Sequence, residues 1–172
     1  MTTTRTPGIA LLAVVGALTL SACTPASGGG SASGGAAPSA AGGDDGRTAV
    51  AAINTAEATA GGRAFELERG DDDTWEVHVA VGDREVEVRV APDGTGVQSS
   101  RDDDGIDADE RAALDAAVTT LADAVRIATA QNPGRERLDD VQLDREDDTW
   151  AWEAEMISGT TVRISAADGA VL

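Results

Sequence analysis

The side chains that could carry chemistry are one histidine, His78, one cysteine, Cys23, and 31 Asp and Glu residues set against 13 basic residues, all of them Arg. His78 lies between Val77 and Val79, on the polar phase of an apolar alternation, which predicts a solvent-facing imidazole with no role as ligand or base. The acidic residues gather in runs at 71–73, 102–104 and 147–148. Carboxylates so close together could serve acid–base work or hold a cation, but runs of this kind between apolar segments read as solvated turns. A calcium loop of the EF-hand type fails on spacing. The frame that puts Gly105 at the sharp-turn position puts Ser100 at the first ligand position and Arg111 where a bidentate Glu is required. There is no Gly-rich phosphate loop after a strand, no His pair at zinc spacing and no Gly-x-Ser-x-Gly elbow. The expectation is a non-enzyme with no catalytic residue, no metal ligand and no cofactor.

Cys23 has a different chemistry in prospect. Met1 to Pro7 is polar with a single charge at Arg5, Ile9 to Leu20 is almost wholly apolar, and small residues lead into Leu20-Ser21-Ala22-Cys23. That order is the one of a secretory leader, and its apolar stretch is short of the roughly 20 residues a spanning helix needs. The tetrapeptide resembles the lipobox of bacterial prolipoproteins. That resemblance implies diacylglyceryl attachment to the Cys23 thiol and cleavage between Ala22 and Cys23. A lone cysteine has no disulfide partner, and two acyl chains make a stable anchor where one is marginal.

The elements after Cys23 divide by composition. The stretch 23–46 is nearly all Gly, Ser, Ala and Pro without apolar periodicity, which predicts a flexible tether. Beyond it the chain repeats itself. Asp72-Asp73-Thr74-Trp75 recurs as Asp147-Asp148-Thr149-Trp150, Leu67-Glu68-Arg69 as Leu143-Asp144-Arg145, Val88-Arg89-Val90 as Val162-Arg163-Ile164, and Asp93-Gly94 as Asp168-Gly169. Each copy reads as a helix followed by three strands. Val50 and Ile53, among small alanines, make the first helix face, which Gly61-Gly62 stops. Asp107 with Glu110 makes a capping-box start for the second helix, and Leu114, Val118, Leu121 and Val125 form one stripe along it. Alternation marks the strands: Phe65 and Leu67; Trp75, Val77, Val79 and Val81; Val86, Val88 and Val90; and in the second copy Val141 and Leu143; Trp150, Trp152, Ala154 and Met156; Val162 and Ile164. Gly82-Asp83 and Ser158-Gly159 are the hairpin turns.

A helix, a strand ending in an acidic loop, an aromatic opening the next strand, a hairpin and a last Val-rich strand closing on Asp-Gly together resemble the PepSY domain family. The resemblance covers about residues 47–99 and 115–172. The predicted fold class is α+β, with two tandem PepSY-like units of one helix and a three-stranded antiparallel sheet, at 47–99 and 107–172. These follow a signal peptide at 1–22 and the tether at 23–46, and an acidic linker at 100–106 joins them. Such small units leave open sheet edges and modest cores, so they are expected to pack on one another by helix contact or by a shared sheet. The resemblance implies non-catalytic binding outside the cell, including restraint of a peptidase. The formal net charge of -18 excludes nucleic acid as a partner and any charge-driven adsorption to anionic lipid. The sequence therefore predicts a lipid-anchored binding module on the extracytoplasmic face of the cell membrane, with an envelope protein or peptide as partner. The other reading is a structural or cation-buffering acidic envelope lipoprotein without a peptide site.

Overall fold

The computed structural model describes residues 41–103, 105–132 and 134–172. The leader, the residues Ala22 and Cys23 and the tether as far as Ala40 lie outside the described residues. Three helices and seven strands follow in the order α1 (Ala41–Ala60), β1 (Arg63–Arg69), β2 (Trp75–Val81), β3 (Arg84–Val90), β4 (Val97–Asp103), α2 (Ala108–Ala116), α3 (Leu121–Gln131), β5 (Leu138–Glu146), β6 (Thr149–Met156) and β7 (Thr161–Ser165). All seven strands join one antiparallel sheet in the order β4-β3-β2-β1-β5-β6-β7. The succession α1-β1-β2-β3 is repeated as α3-β5-β6-β7, and the two copies meet back to back where β1 pairs with β5.

One face of the sheet is apolar and carries α1 and α3, which also pack on each other. Its core holds Leu67, Trp75, Val77, Val79, Val88, Val141, Trp152 and Ala154, all without solvent exposure. The helices contribute mostly small side chains, Ala49, Ala52, Ile53 and Ala56 from α1 and Ala124, Val125 and Ala128 from α3. Small residues let the helix backbones come close. A Cβ on Gly46 would lie 2.9 Å from Thr129 Cγ2.

The repeated turn residues have defined work. In the second copy Glu146 pairs with Thr149 across a two-residue turn in which Asp147 and Asp148 both have positive φ, 46° and 62°. Two-residue hairpins favour that conformation, and Asp tolerates it better than most side chains. The first copy has a longer loop, with only Asp73 at positive φ. Gly94 and Gly169, also at positive φ, bring each closing turn against its own helix. A Cβ on Gly94 would stand 2.4 Å from the Thr48 carbonyl oxygen, and the Thr55 hydroxyl donates to the Gly94 carbonyl at 2.8 Å. The Asp-Gly motif is thus a docking turn.

Four expectations need correction. The tether does not extend to Gly46: α1 begins at Ala41, and Asp45 and Gly46 are held by Arg69 and Thr129. The acidic linker at 100–106 is in large part β4, paired with β3 from Val97 to Asp103. Its seven residues are all exposed, so they show no apolar alternation. The single second helix is two. Asp107 caps α2 as expected, accepting from the N–H groups of Asp109 and Glu110, but α2 ends at Ala116. The Val118 and Thr119 N–H groups then donate to the Ala166 carbonyl, and Thr120 caps α3. Val118, expected in the stripe, is 74% exposed. Finally, the alternation before Leu67 is interrupted by a bulge between Ala64 and Glu66, and Ala64 and Phe65 are both buried.

Candidate functional site

The opposite face of the sheet is the candidate site. Since successive side chains point to opposite faces, the residues that alternate with the core all line up there. In register across the strands stand Asp103, Glu85 and Ala80; Arg101, Glu87, His78, Glu66, Gln142, Glu153 and Arg163; and Ser99, Arg89, Glu76, Glu68, Asp140, Glu155 and Thr161. The three rows carry two, three and four carboxylates.

The arginines compensate the flanks but not the middle. Arg101 pairs with Glu87, Arg89 with Glu76 and Asp72, and Arg163 with Glu146 and Glu153. Among the described residues no arginine pairs with Glu66, Glu68, Asp140 or Glu155, which flank the β1–β5 seam. Burial, with the charges of Glu66, Glu68, Glu155 and Asp139, pushes the Asp140 carboxyl up to about 7. Burial also raises Glu66, with Glu68 and Glu85 adding to it against the pull of His78. Like charges held this close by a rigid ladder disfavour full ionisation and favour any cationic group that reaches them.

His78 lies on this face, as its phase requires, but it is not a solvated bystander. Its side chain is 16% exposed, its Nδ1 is hydrogen-bonded to Glu85, and Phe65 meets it edge-on with ring centroids 6.2 Å apart. Burial on its own would lower its pKa, but the Glu85 hydrogen bond and the charges of Glu66, Glu85 and Glu87 outweigh it and raise the value. Helix α2 closes this end of the face. Arg63 donates to the carbonyls of Leu114 and Ala117 at 2.5 and 2.8 Å, and Arg111 donates to the Gly82 carbonyl. The helix so held brings Glu110 close enough that burial and the charges of Asp107, Glu66 and Glu85 raise its carboxyl.

A second polar centre ties the copies together on the helix side. Asp45 accepts from Arg69 and from the Leu138 N–H, while Arg69 also donates to the Leu138 carbonyl at 2.7 Å and lies 4.0 Å over the Trp75 ring. The second copy places Arg145 over Trp150 in the same way, at 6.0 Å. The repeated Arg and Trp are therefore a structural stack. The acidic turns hold ion pairs as well: Asp72 with Arg89, Asp73 with Arg137 and Asp148 with Arg145.

Sequence reasoning missed the open face as a site because its members come from seven strands. The polar phase of each strand was visible, but their neighbours were not.

Residues 120–172, which span α3, β5, β6 and β7, match the family model described as "Peptidase propeptide and YPEB domain", the PepSY domain. The match begins at Thr120, the cap of α3, and leaves the first copy outside it. No curated protein matches the sequence. Among solved structures, a "putative lipoprotein" of Clostridium difficile 630 is similar at 16% identity and a TM-score of 0.43, over 70% of this chain and 87% of that one.

Proposed function

We propose that the protein is an extracytoplasmic binding module, tethered through a lipid on Cys23, whose open acidic sheet face receives a basic segment of another envelope protein. The uncompensated carboxylates at the β1–β5 seam carry this reading. Among the described residues no helix covers Glu66, Glu68, Asp140 and Glu155, and a Lys or Arg side chain brought among them would relieve their mutual repulsion. The first copy is taken as a second PepSY-like unit, because its helix, three strands and Asp-Gly docking turn match those of the second in order and geometry. The propeptide character of the matched domain makes a peptidase the favoured class of partner, held or restrained rather than assisted in catalysis.

The test is site-specific photo-crosslinking in the native envelope. A crosslinker at Glu68 should yield an adduct that weakens with salt and is lost in Glu66→Gln/Asp140→Asn, while one at Asp123 on α3 should not. Equal adducts from both positions, or none from Glu68, would remove the open face as the binding surface. Adducts from Asp123 alone would move the site to the helices. A protein that stays with the membrane and forms no adduct from either position would favour the acidic, cation-buffering envelope lipoprotein.

A further inference from the structure

We propose that His78, Glu85 and Asp103 form a three-ligand site for a divalent transition-metal ion of the zinc type at the α2 end of the open face. The three residues come from consecutive strands, β2, β3 and β4, and Glu85 and Asp103 stand directly opposite each other in the ladder. One donor atom from each lies within 4.8 Å of the others. The imidazole sets this constellation apart from the acidic runs elsewhere in the chain. Its Nδ1 is directed at Glu85 and its ring is fixed edge-on by Phe65, so a nitrogen donor is already oriented toward the carboxylates.

Nitrogen and oxygen donors in this number suit zinc, which takes His at about 2.0–2.1 Å and carboxylate oxygen at about 2.0–2.2 Å in a four-coordinate site. Three protein ligands leave the fourth position to water. Calcium is disfavoured, since it takes roughly 6–8 oxygens and gains nothing from an imidazole. Ligands at about 2.1 Å from a four-coordinate ion stand about 3.4 Å apart, so donors within 4.8 Å of one another must shift by up to about 1.4 Å. Asp103 lies at the end of an exposed edge strand, where such a shift disturbs the least packing.

The surroundings add charge of the right sign. Glu66 and Glu87 flank His78 in register on either side, and α2 holds Glu110 near Glu66, Glu85 and His78. The arginines at this end are engaged elsewhere, Arg101 by Glu87, Arg63 by the Leu114 and Ala117 carbonyls and Arg111 by the Gly82 carbonyl. Metal binding would displace the hydrogen bond between His78 and Glu85 and any proton it carries, so protons compete with the ion for the site.

The experiment titrates zinc chloride into the full chain in detergent, followed by calorimetry and by the imidazole NMR signals of His78. The expected result is one saturable ion per chain that perturbs the His78 ring and is reversed by chelator. His78→Gln and Asp103→Asn should each weaken binding by about tenfold or more, whereas Glu153→Gln, at the far end of the same face, should leave it unchanged. Asp103 is exposed, so its variant reads binding rather than folding. Zinc uptake that ignores both substitutions would reveal diffuse binding to the acidic surface and overturn the site. So would the absence of saturable uptake, or calcium binding at least as well as zinc.

Discussion

Asp45 at the start of α1 and Arg69 at the end of β1 form a bidirectional clasp on the second copy. One oxygen of Asp45 takes the Arg69 guanidinium at 2.5 Å and the other takes the Leu138 N–H at 2.7 Å, with side-chain exposures of only 10% and 7% for the two residues. Removing either partner leaves a buried charge with only a long pairing, Asp45 to Arg137 at 3.9 Å or Arg69 to Asp73 at 3.7 Å. Arg69→Ala or Asp45→Ala should therefore cost about 3 kcal/mol, read as a lowered urea midpoint. The double variant should cost less than the sum of the two. Strict additivity would mean that the pair is not coupled.

The β1–β5 pairing and the α1–α3 contact place both copies in one apolar core. Residues 41–172 should accordingly melt in a single transition, with calorimetric and van't Hoff enthalpies equal. Residues 41–103 alone lose the partner of β1, the Leu138 contacts of Asp45 and Arg69, and the α3 face. They should show a largely unfolded far-UV circular dichroism spectrum. Two transitions, with a stable isolated first copy, would contradict the shared core.

Asp140 sets a pH dependence of a particular sign. Its carboxyl is raised to about 7 in the folded chain, above its ordinary value of 3.8, so the folded state holds the proton more tightly between those limits. The stability this group contributes is present at low pH and falls as pH rises through the window. Asp140→Asn should flatten the decline in stability between about pH 4 and 7 and stabilise the protein at pH 8 by about 1 kcal/mol or more, after allowance for solvent screening at a partly exposed site. Thermal melts across pH would check it. A variant that declines as steeply as the parent would show that burial and the neighbouring charges do not raise the Asp140 carboxyl.

Lipid attachment predicts the fate of Cys23→Ser. The variant should accumulate as uncleaved precursor or leave the membrane fraction, measured by fractionation and by the mass of the mature chain. Normal processing together with full membrane retention would remove the anchor.

The sequence by itself determined the elements whose signal is local. Alternating apolar residues placed six of the seven strands, Asp107 marked a helix start, and the Gly82-Asp83, Ser158-Gly159, Asp93-Gly94 and Asp168-Gly169 pairs marked turns where positive φ is needed. The repeat was legible because it is a comparison of the chain with itself. What only tertiary structure decided were the features whose partners lie far along the chain. Strand β4 is an edge exposed on both faces, so no pattern announces it, and only its pairing with β3 makes it a strand. The helix breaks after Ala116, against its own apolar spacing, because the Ala166 carbonyl, and Trp152 donating to the Thr119 carbonyl at 3.0 Å, draw the intervening backbone away. The Gly-rich start of α1 has little helix propensity of its own and is held by Arg69, Leu138 and Thr129. His78 was assigned to the correct face but not to its neighbours. Phase along one strand fixes the direction of a side chain, whereas the carboxylates around it are brought there by the register of β1 and β3 and by the placement of α2.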